Sequence, residues 1–150
     1  MIVDFIKYFI LAFVGSIAPA MALNIEKRSL LWAGFGGALG FCTALSFNPH
    51  SLVLSVPQIF IGTLVVGIYS EIMAICLKAP STVFCIPGIF PMVPGITAYQ
   101  TVESLVDNKT QEAATFAVNT ILKAFTIAFG IMIVTATFRF VRRIRQKSAS

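Results

Sequence analysis

Long apolar runs set the pattern of this chain, thinly interrupted by charge and separated by short polar or proline-containing joints. A membrane-crossing helix needs about 20 mostly apolar residues, because it rises about 1.5 Å per residue across a hydrocarbon core about 30 Å thick. Four runs meet that requirement: residues 5–23, 29–47, 59–77 and 114–138. The second is uncharged throughout, the third holds only Glu71, and the last holds only Lys123. Each is predicted to be a spanning helix.

A fifth apolar stretch, residues 86–106, carries Pro87, Pro91 and Pro94 with Gly88 and Gly95. Proline lacks the backbone donor and clashes with the preceding turn, so no regular helix is expected through that block. Irregular backbone at membrane depth persists only where protein buries it or water lines it. The stretch is predicted to be a broken helix or a re-entrant hairpin, its helical half beginning near Gly95 and running through Tyr99 towards Val106. The expected fold is therefore all-α: a single polytopic helical membrane domain over residues 1–150, with about five membrane elements and the fourth broken. Ala18-Pro19-Ala20 and Ala20-Met21-Ala22 imitate a signal-peptidase site. Asp4 cancels Lys7 at the start, so the first run is kept as a helix.

Composition agrees: 57% of the 150 residues are hydrophobic, 11% are charged, and the mean hydropathy is +0.89. A disordered chain would show the opposite balance. The net charge of +5 suggests a nucleic-acid surface until it is located. Arg139, Arg142, Arg143, Arg145 and Lys147 hold all of the excess, and residues 1–138 balance to zero. This is the pattern of a membrane protein with one end held at an inner face, and no nucleic-acid partner is expected. With five crossings and the N-terminus outside, Lys27, Arg28, Lys78 and the basic end all fall inside, leaving Lys109 outside. With four crossings, Lys27, Arg28, Lys78 and Lys109 would fall outside.

Candidate chemistry is sparse. His50, beside Pro49, is the sole histidine, and Cys42, Cys76 and Cys85 lack metal-ligand spacing, so neither a metal nor another cofactor is expected. GFGGALG lies inside a hydrophobic run rather than after a strand and is no phosphate loop. No nucleophile–base pair points to an enzyme. In the second run Gly36 and Gly40, reinforced by Ala33 with Gly37 and Gly34 with Ala38, form a small-residue face for close helix contact, within this chain or with another copy. Asn24, Asn119 and Thr120 are expected to hydrogen-bond between helices.

Two charges stay at membrane depth, each costing about 3 kcal/mol on insertion scales. Glu71 lies 12 residues into the third run and Lys123 lies 9 into the last, so their depths differ by about 4.5 Å and an ion pair is within reach. Both are candidate ion-coupling residues; alternatively Lys123 snorkels outward and Glu71 finds a hydrogen bond near the inner face. The broken element offers the candidate substrate site: Pro94, Gly95, Ile96, Thr97, Tyr99 and Gln100. Free N–H groups at Gly95 to Thr97, at the positive end of a helix dipole, suit an anionic group such as a carboxylate. Thr97, Tyr99 and Gln100 add hydrogen bonds for a polar solute.

The stretch SEIMAICLKAPSTVFCIPGIFPMVPGITAY, residues 70–99, resembles the signature of the threonine/serine exporter family in its C-terminal-half, small-subunit form. The matching residues are Ser70, Glu71, Lys78, Pro80, Thr82 to Phe84, Pro87, Gly88, Pro91, Pro94, Gly95 and Tyr99. LNIEKRSLLWAGFGGALG is similar to the family's first loop and second helix. The resemblance implies a secondary exporter of small polar metabolites, threonine and serine or a dicarboxylate such as succinate, in the inner membrane. It also implies a complementary membrane subunit carrying the first half. Rival expectations are a homo-oligomeric small-solute pore built through the Gly36/Gly40 face, and a non-transporting assembly subunit.

Overall fold

A computed structural model gives the fold for residues 2–47 and 53–147, with side chains from residue 5 to residue 144; His50 and Pro49 lie outside the described residues. Every regular element is helical: α1 (Ile2–Ala22), α2 (Lys27–Ser46), α3 (Val56–Leu77), α4 (Thr82–Ile89), a 3-10 turn (Phe90–Met92), α5 (Gly95–Val106) and α6 (Thr110–Lys147). α1, α2, α3 and α6 are each long and apolar enough to cross a membrane. The helices stand in a row, α1 on α2, α2 on α3, α3 on α6 and α6 on α5, with α4 wedged across α1, α2 and α3.

α2 sits at the centre because its glycines let neighbours approach on two sides. A Cβ on Gly34 would meet Ile17 and Phe13 of α1, and one on Gly37 would meet Ser16. On the other side, Gly36 lies under the Tyr69 ring, while Gly40 lies against Val66 and 3.0 Å from the Gly62 carbonyl, measured from the same hypothetical Cβ. The small residues are therefore covered by α1 and α3 of the same chain, the Gly36/Gly40 pair by α3. That removes it as the contact of a homo-oligomeric pore.

The side chains obey the demands of lipid. Thr43, Ser46, Thr63, Ser70, Thr126 and Thr135 each donate to the carbonyl four residues back, so their hydroxyls need no partner across helices. Asn119 and Thr120 do the same, bonding to Thr115 and Phe116 within α6 rather than between helices as expected. Large apolar groups such as Leu11, Ile121 and Phe125 face outward, at 65%, 64% and 72% exposure, which lipid requires and water would penalise.

Three helices end alike. Asn24, Lys78 and Asn108 have φ of 57°, 52° and 60°, and the residue after each donates to the carbonyl five back: Ile25 to Ala20, Ala79 to Ala74, Lys109 to Ser104. Asparagine tolerates this left-handed position; lysine does so at a cost of about 1 kcal/mol, where glycine is the usual occupant. Lys78→Gly is accordingly expected to raise the thermal unfolding midpoint in detergent. A lowered midpoint would show that the Lys78 side chain contributes more than its backbone strain removes.

The broken element differs from expectation in where it breaks. α4 runs through Pro87, and the path turns only at Val93-Pro94, where α4 with its 3-10 turn meets α5 at 50°. Pro87 survives inside the helix because tertiary packing holds it: Pro87 is fully buried, and Gly88 lies close to Val66 and to the Gly37 backbone. From Gly88 the chain passes Met92, which touches Gly62 and Gly40, so it climbs back along α3 towards that helix's start. α6 then descends parallel to α3, Gly130 beside Thr63 and Val134 beside Gly67. A re-entrant hairpin would have left α6 antiparallel to α3. The bent pair is a crossing.

α6 is longer than the apolar run 114–138: its 38 residues take in Arg139, Arg142 and Arg143 and extend for about 57 Å, nearly twice the hydrocarbon thickness. Its first turns pair with α5 and its later turns with α3.

Candidate functional site

Val93 and Pro94 stop the 3-10 turn, and α5 restarts at Gly95 with its N-terminus turned to a cavity of about 240 Å³. Pro94, Gly95, Ile96 and Thr97 line that cavity from α5, and Lys123 lines it from α6. Leu54, Ile59, Phe41 and Met92 complete the apolar part of the wall. The Gly95 N–H is taken by the Val93 carbonyl at 2.7 Å, and the Thr97 hydroxyl donates to the Pro94 carbonyl at 3.1 Å. Ile96 and Thr97 make no backbone hydrogen bond through their N–H groups among the described residues. They are the available donors at the positive end of α5.

Lys123 does not snorkel outward. It is 7% exposed, on the same face of α6 as the buried Ile127 and Val134, and it has neither a hydrogen bond nor an ion pair among the described residues. A cation held this way beside two free N–H groups makes a small apolar chamber with a positive end. Such a chamber suits a carboxylate on a small metabolite; drug-sized ligands take about 300–1,000 Å³. Tyr99, 67% exposed, and Gln100, half-buried, are not part of the wall. The cavity lies near the start of α3 rather than at mid-membrane.

Glu71 and Lys123 are not partners. Lys123 shares its cavity with Ile59, twelve residues before Glu71 on α3, so the two charges stand about 18 Å apart along the bundle. Matching the starts of the third and last apolar runs misplaced α6 by about three turns. The cause is α5, which occupies the first turns of α6 and leaves the later ones for α3. Glu71, its side chain 8% exposed, instead accepts from Arg142, with Nη2 to Oε2 at 3.0 Å. Lys78, Arg139, Ser81 and Thr82 line the cavity of about 500 Å³ around that pair. The charge pattern of the sequence marks Arg139 and Arg142 only as part of an inner-face anchor. Their spacing of three on a helix was the available signal that they share a face.

The threonine/serine exporter (ThrE) family model matches residues 8–137, the greater part of the chain. The chain belongs to this family. Its transport role is that of a threonine/serine exporter-type membrane protein, multi-pass and all-helical, and the family is one of transporters rather than enzymes. No solved structure matches the chain. The matched span of the exporter family takes in both cavities except for Arg139 and Arg142.

Proposed function

We propose that this chain is one half of a secondary exporter for small polar metabolites, threonine and serine or a dicarboxylate such as succinate, working with a complementary membrane subunit. In this reading the substrate carboxylate lies against the Ile96 and Thr97 N–H groups and the Lys123 ammonium, in the cavity bounded by Pro94 and Gly95. The observation that carries the reading is Lys123, buried without a partner at the mouth of a helix N-terminus. A cation this buried with no internal counter-ion invites a ligand of opposite sign. Lys27, Arg28, Lys78 and the basic end of α6 fall at the same end of the bundle, and this excess of cations supports a cytoplasmic C-terminus.

The test is efflux from sealed vesicles containing the chain with and without the complementary subunit, preloaded with radiolabelled threonine, serine or succinate. The expected result is saturable, gradient-dependent efflux that needs both subunits. Non-saturating flux from this chain alone would mean a pore, and undiminished efflux from the complementary subunit alone would mean an assembly role.

A further inference from the structure

We propose that the cavity around Glu71 and Arg142 is a second substrate site, built for a zwitterionic α-amino acid, with the ammonium on Glu71 and the carboxylate on Arg142 and Arg139. The proposal rests on the exporter reading and places a substrate where that reading puts none.

The two partners differ in freedom. The Glu71 side chain is 8% exposed and forms a fixed wall, whereas the Arg142 side chain is 53% exposed and stands at the mouth. They meet through one oxygen and one nitrogen at 3.0 Å, so a second carboxylate oxygen and most guanidinium donors stay unused. A pair made only for stability favours the two-pronged geometry of guanidinium with carboxylate. Here a single contact between a buried anion and a movable cation is easily parted by a ligand offering both signs.

An α-amino acid offers both signs on one carbon, at a spacing that matches a carboxylate and a guanidinium in contact. The other lining groups fit the same guest. Lys78 and Arg139 add two cations that have no hydrogen bond or ion pair among the described residues. Lys78 holds its place despite the left-handed backbone that lysine disfavours. Ser81 and Thr82 line the wall with hydroxyls that are likewise unengaged there, and these suit a hydroxyl-bearing side chain. A dianion would find three cations in this lining but would leave the buried Glu71 carboxylate without a partner once Arg142 turns to it, which a ligand carrying an ammonium avoids.

The inference is tested by radiolabelled L-threonine binding to the full chain in lipid nanodiscs, in a Lys123→Gln background that removes the first cavity's charge. The expected result is binding that persists in this background, weakens about 10- to 100-fold on adding Glu71→Gln or Arg142→Gln, and is unaffected by Arg143→Gln. Succinate and inorganic phosphate should not compete. A variant carrying both Glu71→Gln and Arg142→Gln leaves no orphan buried charge, so it keeps the fold and should also lose binding. Retained binding in that variant overturns the proposal, as does equal competition by succinate. Loss of all binding on Lys123→Gln alone overturns it while leaving the first cavity's reading intact. An unmodified chain that binds no threonine overturns the proposal, and leaves the first cavity's reading to be decided by the efflux measurement with both subunits.

Discussion

Replacing Lys123 by methionine is expected to make the protein more stable and less active at once. Lys123 is 7% exposed and has no partner among the described residues, so its buried charge is a net cost to the fold. Methionine fills the same volume without the charge. Thermal unfolding in detergent should therefore shift upward. Threonine efflux should fall about 10- to 100-fold, the loss of one charge-assisted hydrogen bond to the carboxylate. Arginine at the same position keeps the sign but not the size and should retain part of the efflux. A destabilised Lys123→Met protein, or one with unchanged efflux, would remove the residue from the substrate site.

The second large effect is structural. Gly40→Leu should prevent formation of a monodisperse, folded protein, with a cost of about 3 kcal/mol or more. The added Cβ meets Val66 and lies 3.0 Å from the Gly62 carbonyl, and Gly62 in turn lies 2.8 Å from the Gly40 carbonyl by the same construction. Backbone pressed on backbone cannot be relieved by a rotamer change, so α2 and α3 must separate. Gly15→Ala supplies the contrast, since nothing lies within 4 Å of the site and alanine is the better helix former. Size-exclusion profiles and thermal midpoints of the two variants check the difference.

What could be read from the sequence follows from which forces are local. An apolar run of 20 residues announces a crossing without help from its neighbours, which is why α1, α2 and α3 fall within a few residues of the runs at 5–23, 29–47 and 59–77. Gly95 as the start of α5 was legible too, because Pro94 cannot continue a helix and can only precede one. Pro87 was not, since tertiary packing against α2 and α3 holds a helix that local rules forbid.

The candidate site divides the same way. Pro94, Gly95, Ile96 and Thr97 line one cavity, because adjacent residues at one helix start must stay together. Bringing Lys123 to them depends on the register between α3 and α6, which no local pattern states. A partial signal was present: Lys123, Ile127, Gly130 and Val134 follow one another at spacings of four, three and four, placing the lysine on the buried face. The Glu71–Arg142 pair was hidden for a related reason, since the basic end was read as a tail and not as the continuation of a helix.

The uninterrupted length of α6 carries one more consequence. Lys123 and Arg142 belong to a single helix with no proline between them, nineteen residues or about 28 Å apart. Because the rod is unbroken, a tilt of α6 would move both residues together; if both proposed sites take ligands, their occupancies would then be linked, and reciprocally so.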